Sequence, residues 1–118
     1  MLMLTHIGRR SGEPRYAVLE VVRWDRDRDA FMVPAAYGRN ADWYRNLDAN
    51  PEAKVNHRGR SLDVAATNLP VESAIDEFTT YAKVHPRAAA NLGRLMGVDF
   101  EDPAMLAARV PLIELRCI

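Results

Sequence analysis

The sequence is poor in the residues that announce a special compartment or a special chemistry. Among 118 residues there is one cysteine, Cys117. A single thiol closes no internal disulfide, which excludes a disulfide-stapled secreted fold and a paired-cysteine metal site. The histidines, His6, His57 and His85, fall at no metal-ligand spacing, so no metal is expected. No apolar run approaches the about 20 residues that a membrane-spanning helix needs. Residues 1–4 are apolar, but the stretch is short, without a basic leader or a cleavage site, and reads as a strand. Charge of one sign is not in excess either: 16 Lys and Arg face 16 Asp and Glu. General nucleic-acid binding leaves a stronger basic footprint, so nucleic acid is not an expected partner. Internal repeats, low-complexity tracts, a G-x-x-x-x-G-K-[ST] phosphate loop and a nucleophile elbow are all missing. The expected compartment is the cytoplasm.

What is present is an ordinary globular mixture, 48% apolar and 27% charged. The length fits one domain over residues 1–118 with one core. The charge is unevenly spread. Residues 1–60 carry eleven Lys/Arg against eight Asp/Glu, and residues 61–118 carry five against eight. A local anion site in the first half is consistent with that bias.

Periodicity and punctuation predict the elements. Residues 2–7 read as a strand, Gly8 to Pro14 as a turn, and the β-branched and aromatic stretch 15–24 as a second strand. Residues 30–36 form the next apolar run, and Pro34 inside it predicts an edge or a bulge. Asn40 is a candidate N-cap for a helix over 41–49, with Trp43 and Leu47 on one face. Strands over 53–57 and 60–67 flank an Arg58-Gly59 hairpin turn. Leu62, Val64 and Ala66 mark the buried face of the second. Val71, Ala74, Ile75, Phe78 and Ala82 give a helix over 71–85 that ends before Pro86. A further helix over 87–96 places Ala88, Leu92, Leu95 and Met96 on one side and Gly97 at its C-terminal cap. Asp102-Pro103 opens a short helix, and 110–116 is a closing strand whose Pro111 predicts an edge or a strand start. Strands in consecutive runs argue for an antiparallel barrel or α+β domain and against a doubly wound parallel sheet.

Two segments hold the candidate chemistry. In Gly8-Arg9-Arg10-Ser11-Gly12-Glu13-Pro14-Arg15, two glycines allow a tight turn, and three arginines and a hydroxyl offer donors to phosphate or carboxylate oxygens. By composition the segment is either a solvated basic turn or an anion site. In Ala35-Ala36-Tyr37-Gly38, small residues lead into a loop and then a helix start at Asp42, Trp43 and Tyr44. There, free N–H groups can meet an anion, or Trp43 simply enters the core. His6 and His57 read as strand residues, satisfied or exposed. His85 closes a helix, where it either interacts with the helix dipole or faces a pocket. Tyr16, Tyr37, Tyr44 and Tyr81 are each core or pocket residues.

In order and spacing these segments resemble a known family. Thr5-His6-Ile7-Gly8-Arg9-Arg10-Ser11-Gly12-Glu13-Pro14-Arg15 is similar to the T-x-x-G-R-[KR]-[ST]-G-x-P-R stretch of the deazaflavin-dependent nitroreductase family. Asp42-Trp43-Tyr44-Arg45-Asn46-Leu47-Asp48-Ala49-Asn50-Pro51 resembles its W-Y-x-N-L-x-A-N-P stretch, and Val110-Pro111-Leu112-Ile113 its closing strand. The resemblance implies a split β-barrel with antiparallel strands and flanking helices, a mainly β, α+β fold. It implies coenzyme F-420, an 8-hydroxy-5-deazaflavin with an anionic tail, and hydride transfer to an electron-poor small molecule such as a quinone, nitroaromatic or enone. By position, Arg9, Arg10, Ser11 and Arg15 would hold the tail, with Tyr16 and Ala17 beside the ring. Ala35, Ala36, Tyr37 and Gly38 would line ring and phosphate, and Asp42, Trp43, Tyr44 and Asn46 would complete the site. No side-chain acid/base pair is expected; water, Tyr37 or His85 are the candidate proton sources.

The sequence also departs from the family pattern. The loop from Tyr37 to Asp42 is shorter than in nitro-drug-reducing members. The segment after His85-Pro86, Arg87 to Leu92, lacks the aromatics found there. A different acceptor pocket is implied, with His85 and Ala88 as its candidates, and nitroimidazole reduction is not implied. The chain starts at its first strand, so no extension-based membrane contact is expected. Alternatives on the same fold are a non-catalytic deazaflavin carrier and FMN binding; a structural or partner-binding domain without a cofactor is a more remote one. Exposed barrel edges leave room for a homodimer.

Overall fold

The structure, a computed structural model, describes residues 1–118. Strand β1 (Leu2–Ile7) alternates buried Leu2, Leu4 and His6 with half-buried Met3, Thr5 and Ile7. This is the period-two pattern of a strand with one face on a core. Strand β2 (Pro14–Leu19) returns antiparallel to it, from Ile7 opposite Pro14 to Leu2 opposite Leu19. The single strand read over 15–24 is broken: the chain leaves the ladder at Glu20 and resumes as β3 (Arg23–Asp25), paired with β4 (Ala30–Pro34). A 3-10 turn (Gly38–Asn40) and helix α1 (Asp42–Ala49) follow. Next come the hairpin β5 (Glu52–His57) and β6 (Arg60–Asn68), helices α2 (Val71–Val84), α3 (Pro86–Met96) and α4 (Pro103–Arg109), and strand β7 (Leu112–Cys117).

The sheet order is β2-β1-β5-β6-β7-β4-β3, and every pair is antiparallel. Consecutive strands β2 and β3 therefore lie at opposite edges, joined only by residues 20–22. A flat sheet of this size would hold its edges about 29 Å apart. That link spans at most about 14 Å. The sheet has to curl, and the expected split barrel with flanking helices results. Arg58 and Gly59 turn the β5–β6 hairpin with φ of +52° and +79°, the twist that two-residue hairpins favour.

Two apolar clusters pack on the sheet. Leu4, Phe31, Val33, Val55, Val64 and Leu115 fill the barrel side, with Trp43 and Leu47 of α1. Ala30, Met32 and Leu112 face the other way, onto Phe78, Tyr81, Leu92, Phe100 and Leu106 of the helical layer. Strand β4 is thus buried on both faces, which is why its sequence shows no alternation. The strand lies inside the sheet, but its Pro34 end runs past the last β3 pair at Met32 and pairs only with β7, so that end is an edge on one side, as the proline requires. Pro111 precedes β7 as a strand start.

Some local expectations change. The N-cap of α1 is Ala41, with no side-chain cap, and Asn40 sits in the preceding turn, where its Oδ1 accepts from Arg45 Nη2 at 3.0 Å. Helix α3 buries Ala89, Leu92 and Gly93 and leaves Leu95 and Ala88 exposed. Gly93 sets that rotation: a Cβ there would lie 2.8 Å from the carbonyl oxygen of Val98. Gly97, at φ +68°, closes the helix as expected. No helix is long and apolar enough to cross a membrane.

Candidate functional site

The β1–β2 connection is a tight turn built from its glycines. Gly8 N donates to Glu13 O at 2.8 Å, and Gly12 N donates to Gly8 O at 2.9 Å with Gly12 at φ +69°. Ser11 Oγ accepts from Glu13 N, and a Cβ at Gly8 would lie 2.5 Å from that oxygen. Only glycine lets the turn fold back this closely.

Helix α1 meets this turn through one buried side chain. Asn46 Oδ1 accepts from the backbone N of Arg9 at 3.0 Å and from Arg9 Nη1 at 2.9 Å. Its Nδ2 lies 2.9 Å from Nδ1 of buried His6 on β1. Arg9 also reaches Asp42 at 3.4 Å. Asp42 is exposed, so that ion pair adds little; the hydrogen bonds to the buried Asn46 amide carry the clamp. Burial lowers the pKa of His6 from its ordinary 6.5, with Asp42 opposing the shift and Arg15, its partner across the β1–β2 ladder, reinforcing it.

Between turn and helix opens a cleft of about 610 Å³. Arg9, Arg10, Ser11, Arg15, Tyr16, Ala17, Asp42, Trp43 and Asn46 line it, all of them expected from the sequence. Arg9 is committed to Asn46 and Asp42, whereas Arg10 and Arg15 make no ion pair. The cleft therefore offers two uncommitted guanidinium groups beside a hydroxyl, an arrangement suited to phosphate or carboxylate oxygens. Tyr16, Ala17 and Trp43 supply apolar wall.

Other expected residues lie elsewhere. Ala35 is buried in the barrel core and its N–H donates to Pro111 O; Ala36, Tyr37 and Gly38 follow β4 outside the cleft, with Tyr37 exposed. Tyr44 turns toward β6, its hydroxyl donating to Asn68 Oδ1 at 3.2 Å, and borders a separate cavity of about 120 Å³. His85 and Ala88 are exposed on the helical layer and do not reach the cleft. Two cleft residues were not among the expected ligands, Gly8 and His6. His6 carried a signal all the same: it shares the buried face of β1 with Leu2 and Leu4 and stands two residues before the glycine turn.

Comparison with known proteins gives this geometry a family. The chain is 34% identical over 68 residues to an F420H(2)-dependent quinone reductase of Mycobacterium tuberculosis, a match covering 55% of this chain and 44% of that protein. The chain thus spans less than half the length of that relative. Among solved structures it is similar to an F420-H2 dependent reductase (TM-score 0.66, 22% identity, 97% of this chain and 91% of that one). It is also similar in fold to a pyridoxamine 5'-phosphate oxidase-related, FMN-binding protein of Nostoc punctiforme (TM-score 0.70, 10% identity, 99% of this chain and 71% of that one). The family model for F420H(2)-dependent quinone reductase matches residues 1–99, so the chain belongs to the F420H(2)-dependent quinone reductase family.

Proposed function

We propose that the chain is a deazaflavin-dependent reductase that binds reduced coenzyme F-420 in the cleft between the β1–β2 turn and α1 and reduces an electron-poor small molecule of the quinone class. The supporting observation is the pair of uncommitted guanidinium groups, Arg10 and Arg15, on a cleft of about 610 Å³ in a member of this family. An anionic tail asks for several fixed cations, and the donor set fits it: two free arginines and the Ser11 hydroxyl, carried on and beside a turn that its glycines fold tightly.

When bound, the reduced deazaflavin supplies a hydride from its carbon five. The residues of the chain hold and shield. Arg10, Ser11 and Arg15 bind tail oxygens. Arg9, braced on Asn46, fixes the turn to α1 so that those donors stay aimed. Tyr16, Ala17 and Trp43 give the flat ring an apolar wall and keep water from it. Ala35, Ala36, Tyr37, Gly38 and Tyr44 do not line this cleft, and neither do His85 and Ala88.

The test is a fluorescence titration of the purified protein with oxidised coenzyme F-420 and, separately, with FMN. The expectation is saturable binding of F-420 and weaker binding of FMN, whose single phosphate uses fewer of the cations. Reduced F-420 with a soluble naphthoquinone should then regain the absorbance of the oxidised coenzyme only when protein is present. Failure to bind F-420 overturns the proposal; binding without turnover reduces the protein to a carrier.

A further inference from the structure

His6 lines the cleft and is 97% hidden, and the one hydrogen bond of its ring, at Nδ1, leaves the second ring nitrogen unused. Its hydrogen-bonding state can be worked out from neighbours whose chemistry is fixed. The backbone N–H and the guanidinium of Arg9 can only donate. Both point at one atom of the Asn46 amide, which must therefore be the oxygen. The other end of the amide, the NH2, then faces His6 Nδ1 at 2.9 Å. An NH2 group can only donate, so Nδ1 must be an unprotonated acceptor. A charged imidazole would set N–H against N–H, so His6 is neutral and carries its proton on Nε2.

Nε2 has no protein partner. Every side-chain polar atom that is fully enclosed has one, except the indole nitrogen of Trp24. Nε2 is therefore not fully enclosed, and the open space that His6 borders is the cleft. The groups facing His6 are Arg15 across the ladder, Asn46 and Asp42 on α1, and Arg9 beyond the amide. None accepts from Nε2.

Resting on the coenzyme reading above, we propose that His6 is a coenzyme-binding residue. Locked by Asn46 as the Nε2–H tautomer, it donates a hydrogen bond to an oxygen of the bound deazaflavin coenzyme. Its partner chain is Arg9, Asn46, His6, ligand: the side chain that clamps the turn to α1 also sets the proton position of the donor. Asn46 is a positioning residue in this scheme. Because the donor is neutral, it adds a directional contact in the cleft that Arg10 and Arg15 also line, without adding to their charge.

Nitrogen-15 spectra of histidine-labelled protein at neutral pH test the tautomer directly. The expected spectrum shows His6 Nδ1 at the position of a bare ring nitrogen and Nε2 protonated, with Nε2 shifting on saturation with oxidised F-420. A protonated Nδ1, a charged ring, or a His6 signal unmoved at saturation overturns the proposal. In the titration, His6→Phe, which keeps ring volume and loses the donor, should weaken F-420 binding roughly tenfold. His6→Gln, which restores an N–H near the position of Nε2, should recover part of that loss. Wild-type protein that binds F-420, with His6→Phe binding as well, overturns the His6 assignment alone. Wild-type protein that binds no F-420 overturns the coenzyme reading and this proposal with it. If His6→Phe does not fold, the wild-type spectra still decide.

Discussion

Arg9, Arg10 and Arg15 look alike in sequence and differ in the fold. Arg9 is spent on Asn46 and Asp42 and holds the turn; the side chains of Arg10 and Arg15 make no ion pair or hydrogen bond within the chain and are free for a ligand. Arg10→Ala and Arg15→Ala should each weaken F-420 binding by about tenfold or more, the worth of a charge-assisted hydrogen bond, and leave the urea midpoint unchanged. Arg9→Ala should lower both. Asn46→Leu keeps the volume but strands the Arg9 N–H and His6, and should cost about 2 kcal/mol in urea unfolding; a midpoint equal to wild type would show that the clamp contributes nothing. The buried histidines give stability a pH dependence of definite sign. Burial lowers the pKa of His6 and His57 below 6.5 in the fold, and Arg58, the N-terminus and Arg60 push His57 further the same way. The unfolded chain takes up these protons first. Their stabilisation is complete above about pH 6.5 and drains away as pH falls through 6.5 toward the folded values. The melting temperature should fall between pH 7 and pH 5, and replacing both histidines should flatten that slope.

At the scale of elements, α3 offers a substitution whose sign opposes helix propensity. Alanine improves on glycine in a helix interior by about 1 kcal/mol, yet a Cβ at Gly93 would meet the Val98 carbonyl oxygen at 2.8 Å and the Phe100 ring at 3.3 Å. The first of these is backbone and cannot swing aside, so Gly93→Ala should destabilise, measured as a lower thermal midpoint. Asp102→Ala, which removes the acceptor for Met105 N at the start of α4, should cost about 1 kcal/mol. The elements themselves were largely legible, because strands with one buried face alternate and helices repeat every three to four residues. What was not legible is what long-range packing decides. The break between β2 and β3 follows from barrel closure, which no local pattern in residues 15–24 records. The buried side of α3 follows from Gly93 against Val98 and Phe100, and a glycine carries no hydrophobic signal. The basic turn of the site could be read because its residues are contiguous. The contact of Asn46 with Arg9 spans 37 residues, and only the fold shows that His6 completes it.

The whole molecule has two apolar cores that share strands β4 and β7 and little else. The cleft belongs to one of them: Trp43 and Ala17 of its lining lie in or against the barrel-side cluster, and no cleft residue belongs to the helical one. Damage to the two cores should therefore have different consequences. Phe78 is fully buried in the helical layer, its ring 5.7 Å from that of Phe100. Phe78→Ala should cost about 3–5 kcal/mol, a large part of the 5–15 kcal/mol typical of a domain, and lower the melting temperature sharply. At low temperature, where the variant stays folded, its F-420 affinity should match wild type, since the strands that carry the turn and α1 keep their own core. Leu4→Ala opens a comparable hole on the barrel side, beneath α1 and two residues from His6. It should lose stability and coenzyme affinity together, because the separation between α1 and the turn is set by what packs under them. Paired thermal melts and fluorescence titrations of the two variants distinguish this from a single cooperative core. In that case Phe78→Ala would weaken binding as much as Leu4→Ala does, and the helical layer would have to be counted as part of the coenzyme site's support.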